Sequence, residues 1–401
     1  MSQISLNASA SGDTNSVLSK QMLMVLAGGA GLSVASLYYA QPMLGAMAAT
    51  PMATSGGVGM LPMLTQLGYA AGIFFLAPLG DKYDRRNIIV TKGLLLAVML
   101  LLCGLAPSMW MLFVTSFAIG ITATVAQDIV PATATLSPPH SRGKTVGTVM
   151  TGLLLGILLS RVVSGIVADY FGWRIMFCLA AVSVLLITFM LRKALPYFAP
   201  TTGMGYPSLL LSLLHLWQSH PALRRAVTTQ AIISIGFSAF WSTLAVMLSD
   251  SFHLGSSVAG AFGLAGAAGA LAAPFAGFIA DRWGSALVTR GGTALAALSF
   301  ALLLAMPLLP LPGKLALLAI SAIGFDLGVQ ATLVAHQTIV YGLEPAARSR
   351  LNAILFTGMF TGMASGAALG SEVLQHFGWN GVVIAATLSS VVAFVYRYVR
   401  P

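Results

Sequence analysis

The stretch Val58–Arg86 reads VGMLPMLTQLGYAAGIFFLAPLGDKYDRR. Its first 22 residues, to Leu79, carry no charge, and then five of the six residues Asp81–Arg86 are charged. A helix of that length rises about 33 Å, which matches the roughly 30 Å hydrocarbon core of a bilayer. A barrel strand would be only about 10 residues long and would alternate polar with apolar. This stretch is apolar all round, so it predicts a membrane helix that ends at a charged loop.

The same alternation recurs along the chain. Candidate spans are Met22–Ala40, Val58–Leu79, Ile88–Leu105, Met109–Leu136, Thr145–Val167, Arg174–Leu191, Ala226–Leu248, Ser257–Ala280, Ala286–Leu308, Leu315–Tyr341, Asn352–Leu374 and Gly381–Val399, twelve in all. Composition agrees: 57% of the residues are hydrophobic and 7% charged, against about 25% charged in soluble domains. So few charges cannot cover a water-exposed surface, which makes the lipid bilayer the natural solvent. The 42 glycines suit helices that approach closely in lipid. The apolar stretch after the Ser- and Asn-rich start leads into further spans, so no cleaved signal peptide is expected.

The net charge of +10 does not indicate nucleic acid, because the basic residues lie in short clusters between apolar runs. Of 20 Lys and Arg, 17 fall at the ends and loops of one side; Arg174 and Lys314 fall on the other, and Arg161 lies inside a span. The positive-inside rule puts both termini in the cytoplasm. The two cysteines, Cys103 and Cys178, lie in apolar runs and imply neither disulfide nor metal site.

The chain also repeats itself. Gly80-Asp81-Lys82 matches Ala280-Asp281-Arg282, Gly120–Thr124 matches Gly328–Thr332, Ser141-Arg142 matches Ser349-Arg350, and Phe171-Gly172-Trp173 matches Phe377-Gly378-Trp379. Four matches in order, at equivalent places among the spans, predict a duplication. The expected fold is all-α, with twelve transmembrane helices in two pseudo-symmetric six-helix bundles and a central site at the repeat interface. The expected parts are a cytoplasmic tail (1–21), an N-terminal bundle (22–191), a cytoplasmic linker (192–225) and a C-terminal bundle (226–401).

Ala77-Pro-Leu-Gly-Asp81-Lys82-Tyr-Asp84-Arg85-Arg86 and its partial copy Gly277-Phe-Ile-Ala-Asp281-Arg282-Trp-Gly284 resemble the loop signature of major facilitator superfamily transporters. Two glycine places of that signature are altered here, to Ala77 and Asp84. Tyr38-Tyr39-Ala40-Gln41-Pro42 and Gly172-Trp173-Arg174 look similar to bacterial efflux members, the drug:proton antiporters and sugar-efflux permeases. The resemblance implies a monomeric transporter of the bacterial inner membrane. It also implies a conformational latch: Asp81, at the end of span 2, would face the start of span 11, worth about 0.3–1 kcal/mol against a helix dipole. Lys82, Arg85, Arg86 and the second-half pair Asp281 and Arg282 belong to the same device. Two features of the antiporters are replaced: Ser116 stands where they carry an arginine, and Ile157 follows Gly156 where they carry proline.

Ionisable residues inside the spans mark function, since a charge at the bilayer centre costs about 2.5–3.5 kcal/mol. Four qualify: Asp128, Arg161, Asp326 and His336. At 1.5 Å per residue Arg161 lies roughly 12 Å, and Asp326 roughly 16 Å, from the same surface. An Arg161–Asp326 salt bridge between halves is therefore expected in one conformational state. The repeat maps Asp128 onto His336, a second pair of titratable groups suited to protons as the coupling partner. The family's cavity-lining spans also carry Tyr38, Tyr39, Gln41, Gln127, Gln230, Trp241, Gln330 and Gln337, a set suited to an amphipathic small-molecule substrate. Tyr38 and Tyr39 are adjacent on a helix, so at most one faces the centre. No enzyme motif or cofactor motif is present, and no metal is expected. A channel would need pore-lining rings, and a sensor would carry a soluble domain. The expected function is proton-coupled export of a small organic solute, with uptake or uncoupled diffusion as the alternative.

Overall fold

A computed structural model describes residues 18–52, 57–138, 140–200, 202–344 and 347–399, with the side chains of 267–275 and of Asp281 left aside. Residues 1–17 of the expected tail, and the side chain of the expected latch residue Asp281, therefore lie outside the described residues. Among the described residues the structure is helical throughout, with no strand.

The order is α1 (Lys20–Ala35), α2 (Ala40–Ala48), α3 (Met60–Leu76), α4 (Leu79–Lys82), α5 (Arg85–Gly104), α6 (Met109–Thr122), α7 (Val125–Leu136), α8 (Arg142–Phe171) and α9 (Trp173–Ala194). It continues with α10 (Tyr206–Ser219), α11 (Pro221–Phe252), α12 (Ser256–Ala261), α13 (Gly263–Trp283), α14 (Ser285–Leu302), a 3-10 turn (Leu303–Leu308), α15 (Leu311–Leu343) and α16 (Arg348–Val399). Among the described residues, ten helical stretches are long and apolar enough to cross a membrane. Large apolar side chains such as Leu94, Val98, Leu101, Val182, Leu186 and Phe189 are exposed on the outside of α5 and α9. An apolar exterior of this kind is solvated by lipid rather than water.

Several elements are broken where the sequence predicts continuity. The first span divides at Ser36–Tyr39 into α1 and α2 and runs on to Ala48, beyond the expected end at Ala40. The 52-residue α16, by contrast, turns at Gly378, with φ 65° and ψ −167°, inside the gap expected between the last two spans. A straight helix of that length would measure about 78 Å, more than twice the hydrocarbon thickness. The linker is not a bare loop: it contains α10, whose Leu209, Leu213 and Leu216 are buried. Their spacing puts them on one face, where Leu213 and Leu216 join Leu223, Val340, Leu351 and Leu355 in one cluster.

Packing depends on small residues. Gly362, Gly366 and Gly370 of α16 follow each other at one-turn intervals, and a Cβ at each would strike Ala231, Ile235 or Ala239 of α11. A Cβ on Gly152 or Gly156 of α8 would likewise strike Ala27 or Gly31 of α1. Such contacts bring backbones together in lipid, where dispersion rather than water drives association. The pairings recur in the two parts of the chain. α1 packs on α8, α3 on α6 and α5 on α9, and then α11 packs on α16, α13 on α15 and α14 on α16.

Gly172 and Gly378, the glycines of the two Phe-Gly-Trp copies, both take positive φ, at 84° and 65°. With ψ at 152° and −167° both occupy a region that glycine alone adopts readily. A Cβ at either site would meet nothing within 4 Å. Gly378→Ala should therefore destabilise the protein through the backbone alone, by about 1–3 kcal/mol. Thermal unfolding of the purified variant in detergent, compared with Gly277→Ala at another unobstructed site, measures this.

Candidate functional site

Arg161 sits on α8 and is 4% exposed. Its Nε donates to Gln41 Oε1 at 3.1 Å. Its guanidinium lies over the Tyr38 ring at 5.0 Å and over the Trp241 ring at 4.2 Å. The break between α1 and α2 sets Tyr38 and Gln41 here, since Tyr38 lies in the turn and Gln41 in the first turn of α2. Tyr38 is thus the one of the adjacent tyrosines that meets the charge; Tyr39 is buried in the apolar core. Trp241 belongs to α11 and is backed by Phe237 and Phe240, with ring centroids 6.5 and 5.4 Å away.

Asp326 enters from α15 and is 3% exposed. A Cβ at Gly266 of α13 would stand 3.4 Å from Asp326 Oδ2, 3.5 Å from Arg161 Nη1 and 3.7 Å from Trp241 Cζ2. The carboxylate and guanidinium therefore flank the same bare backbone, yet no ion pair within 4.0 Å joins them. Asp326 Oδ2, Arg161 Nη2, Gln41 Nε2 and Trp241 Nε1 are buried without a hydrogen-bond partner. A void of about 10 Å³ lies among Gln41, Pro42, Arg161, Trp241, Leu244, Ala245 and Ala259, beside three of these four side chains. Buried polar groups are nearly always paired, so four orphaned atoms at one place mark a site that can accept another hydrogen-bonding group.

The other expected residues lie apart from this cluster. Asp128 does not face an open cavity: Lys92 Nζ of α5 meets Asp128 Oδ2 at 2.7 Å, and both side chains are buried. In the sequence Lys92 counts only as one of the basic residues that set orientation. His336 Nδ1 lies 3.0 Å from Gln230 Oε1, joining α15 to α11. Gln127 Nε2 donates to the Tyr69 hydroxyl at 3.1 Å, and the Tyr69 ring packs on Phe360 of α16 at 4.5 Å. Gln337 Nε2 donates to Asn352 Oδ1 at 3.3 Å. Gln330 is half-buried on α15, one turn beyond Asp326.

Around α4, Arg85 pairs with Asp81 at 3.2 Å, and Arg350 in the first turn of α16 is close enough to act on Asp81 electrostatically. Arg86 Nη2 donates to the Arg192 carbonyl at 2.7 Å. Asp84, where the family signature has glycine, accepts from the backbone N–H of Arg86 and of Phe198 at 3.1 and 3.0 Å. It thus caps α5 and ties down the linker. Lys82 lies over the Tyr83 ring at 5.4 Å, and Arg282 over the Trp283 ring at 5.2 Å.

One charged residue that joins the two parts of the chain escapes the sequence reading. Asp169, near the end of α8, accepts the backbone N–H of Ser256 at 2.9 Å and of Ser257 at 2.7 Å. These are the first residues of α12, so the carboxylate caps a helix from the other part of the chain. Its counterpart Gly255 leaves no room for a side chain: a Cβ there would stand 2.6 Å from Asp169 Oδ2. At the same end Gly45 of α2 lies against Ala245 and Ser249 of α11. A Gly-Ser-Ser run following a span was the available signal.

A multi-helix membrane body with charged and aromatic side chains from several spans gathered at its centre is that of a membrane transporter. The chain belongs to the Major Facilitator Superfamily, whose model matches residues 26–340 and 226–401. It is a secondary transporter that moves small solutes across a membrane, not an enzyme. It is 39% identical over 386 residues to the uncharacterized transporter YgaY of Escherichia coli O157:H7, covering 95% of this chain and 96% of that one. It is 26% identical over 350 residues to the multidrug resistance protein MdtG of Enterobacter lignolyticus, covering 84% and 81%. Its fold is shared with a bacterial homologue of the human lysosomal transporter Spinster, solved inward-facing and occupied, at a TM-score of 0.73 and 15% identity, covering 94% of this chain and 95% of that one.

Two outcomes test the geometry. Lys92→Met should destabilise the protein by about 3–5 kcal/mol, because it strands a buried carboxylate. Lys92→Met with Asp128→Leu should regain most of that in a detergent melting assay. Asp169→Asn removes the charge from a helix cap worth about 0.5–2 kcal/mol in all. Spin labels across the α2–α11 end should then report a population of open molecules raised about 2- to 30-fold.

Proposed function

We propose that this chain is a proton-coupled exporter of a small organic, amphipathic solute, working by alternating access as a monomer in the bacterial inner membrane. The observation that carries this reading is the Arg161–Asp326 cluster: two oppositely charged groups buried in one cage but not bonded to each other. In this reading the membrane is crossed twelve times, by two six-helix bundles, 22–191 and 226–401, joined by the cytoplasmic linker 192–225. The ten apolar stretches become twelve when α12–α13 is added and α16 folds back at Gly378. The repeated helix pairings support two equivalent halves, and the one-sided basic residues support cytoplasmic termini.

Arg161 then belongs to one half and Asp326 to the other. With the proton off, the carboxylate is drawn to the guanidinium across Gly266; with the proton on, that attraction is gone and the halves are free to part there. Proton binding thus shifts the balance between states by the difference in its affinity for them. Tyr38, Trp241 and Gln41 give the solute aromatic faces and one amide, while Asp326 exchanges the proton. The Asp169 cap and the Gly45 contact hold the periplasmic end closed, and Asp81 with Arg85 and Arg350 forms the corresponding cytoplasmic latch. Export as the direction draws on the name of the MdtG relative.

A thermal-shift screen of the purified protein against amphipathic organic solutes supplies the ligand, and proteoliposome flux of that ligand tests the coupling. The intact protein should accumulate it against a concentration gradient when a pH gradient is imposed. Asp326→Asn should keep exchange at equal pH and lose the pH-driven component altogether. Flux that ignores the pH gradient would overturn proton coupling and leave uncoupled diffusion or uptake.

A further inference from the structure

The linker helix α10 reads YPSLLLSLLHLWQS over Tyr206–Ser219, with no Asp, Glu, Lys or Arg in it. At about 100° per residue its side chains fall into three sectors. Leu209, Leu213 and Leu216 form the first and are buried against the helix array. Ser208, His215 and Ser219 form the second, a polar edge that is exposed. Pro207, Leu211, Leu214 and Gln218 form the third, which is exposed as well; Leu211 is 63% and Leu214 50% exposed. A helix packed on a protein in water needs one apolar face, the one it buries. α10 carries a second apolar face, turned outward and set next to a polar one.

The contacts of α10 fix its depth. The Tyr206 hydroxyl donates to the Phe75 carbonyl of α3 at 2.8 Å. Phe75 belongs to the uncharged run of the second span and precedes Asp81 by six residues, roughly 9 Å of helix. The helix therefore begins beside backbone at the level of the hydrocarbon, not out among the charges. Phe74, Leu210 and Trp217 pack together on the cluster that Leu213 and Leu216 share with Val227, Val340 and Leu351. On the outside of α3, Phe75 and Leu67 two turns earlier are exposed apolar side chains. α10 thus meets α3 where the lipid-solvated exterior of that span ends, on the side of the basic clusters.

The two connections of α10 agree with that depth. The chain arrives from α9, whose Phe189 and Met190 are exposed just before Arg192 and Lys193. At the far end Arg224 Nη1 donates to the Trp217 and Gln218 carbonyls at 2.8 and 2.5 Å, so a guanidinium closes the last turn of α10. Trp217 is half-buried there, and tryptophan favours the headgroup level of a bilayer.

We propose that α10 lies flat in the membrane–water interface on the side of the basic clusters, with Leu211 and Leu214 among the acyl chains of that leaflet. Ser208, His215 and Ser219 face the water. Amphipathic helices that lie on membranes sink their apolar face about 5–10 Å in this way. The leaflet, rather than another protein, covers the outer leucines, because the Tyr206 bond holds the helix at a depth that acyl chains reach. α10 is bonded to α3 and packed on α11, α15 and α16. The lipid surface therefore takes hold of helix ends from both parts of the chain. This placement depends neither on the transported solute nor on the coupling ion.

The test is electron paramagnetic resonance of the full chain in lipid nanodiscs. One nitroxide at a time is attached through Leu211→Cys, Leu214→Cys, Ser208→Cys or His215→Cys, with Cys178→Ala removing the half-buried native thiol and the buried Cys103 left in place. All four positions are exposed, so the labels displace no core side chain, and melting temperatures confirm that each variant is folded. Oxygen concentrates among acyl chains, and a water-soluble nickel chelate is excluded from them. Labels at 211 and 214 should collide with oxygen several-fold more often, and with the chelate several-fold less often, than labels at 208 and 215. Equal access of the chelate to all four positions would place α10 in water and overturn the proposal. Exclusion of both relaxants from 211 and 214 would overturn it too, by showing a second copy or another protein seated on the leucines.

Discussion

A charge inside a bilayer must be solvated by the protein, because no water is present to do it. Arg161 imposes that requirement, and much of the surrounding structure answers it. Gln41 offers an oxygen only because the first span breaks at Ser36–Tyr39 and resumes as α2. Tyr38 and Trp241 place ring faces over the guanidinium from two different helices. At position 263 only glycine fits, since a Cβ there would stand 2.8 Å from Arg161 Cβ and 3.1 Å from its Cδ. The approach of α13 to α8 is therefore set by the arginine stem as much as by helix packing. The cage is still incomplete, with Nη2 unpaired and Asp326 near but unbonded. A fully satisfied buried pair is hard to part; an unsatisfied one can respond to a proton or a ligand.

The ends of the array use a different interaction, a carboxylate placed at the start of a helix. Asp169 caps α12 with two short hydrogen bonds, and Asp81 lies near the first turn of α16 with Arg85 and Arg350 about it. Both carboxylates come from the first part of the chain and both helices from the second. In the proposed cycle they serve opposite ends, so tightening one accompanies loosening the other. Such a contact is modest in energy, which suits a clamp that must open on every turnover.

Much of this was legible in the sequence, for physical reasons that differ by residue. The spans were legible because lipid tolerates only long uncharged runs. Arg161 and Asp326 stood out because charges are rare there, and the rise per residue alone puts them at similar depths. The Phe-Gly-Trp copies were legible as a repeat, and their glycines prove to share an unusual backbone conformation. Lys92 was hidden because a lysine near a basic cluster reads as a topology signal, whereas its amine reaches back to Asp128. Asp169 was hidden because its partners are backbone N–H groups, which no side-chain pattern reveals. The linker helix α10 was masked by its length, since three leucines on one face are too few to stand out beside membrane spans. Gln41 was placed among the candidates for its polarity, but its role as the acceptor for Arg161 needed the break in the first span.

The equivalent positions of the two parts have diverged in an informative way. Where the first part has the ion pair Lys92–Asp128, the second has the hydrogen bond between His336 and Gln230. Each is enclosed within its own part of the chain and joins neighbouring helices there. Neither pair draws on both parts, so parting the halves does not break it. Arg161 and Asp326 are different, because they come from opposite parts and meet only where those parts touch. In the proposed cycle, protonating Asp326 changes an interaction that depends on the relative position of the halves, whereas the Lys92–Asp128 pair lies within one of them. In that cycle, a site of the first kind links a proton directly to the movement of one half against the other.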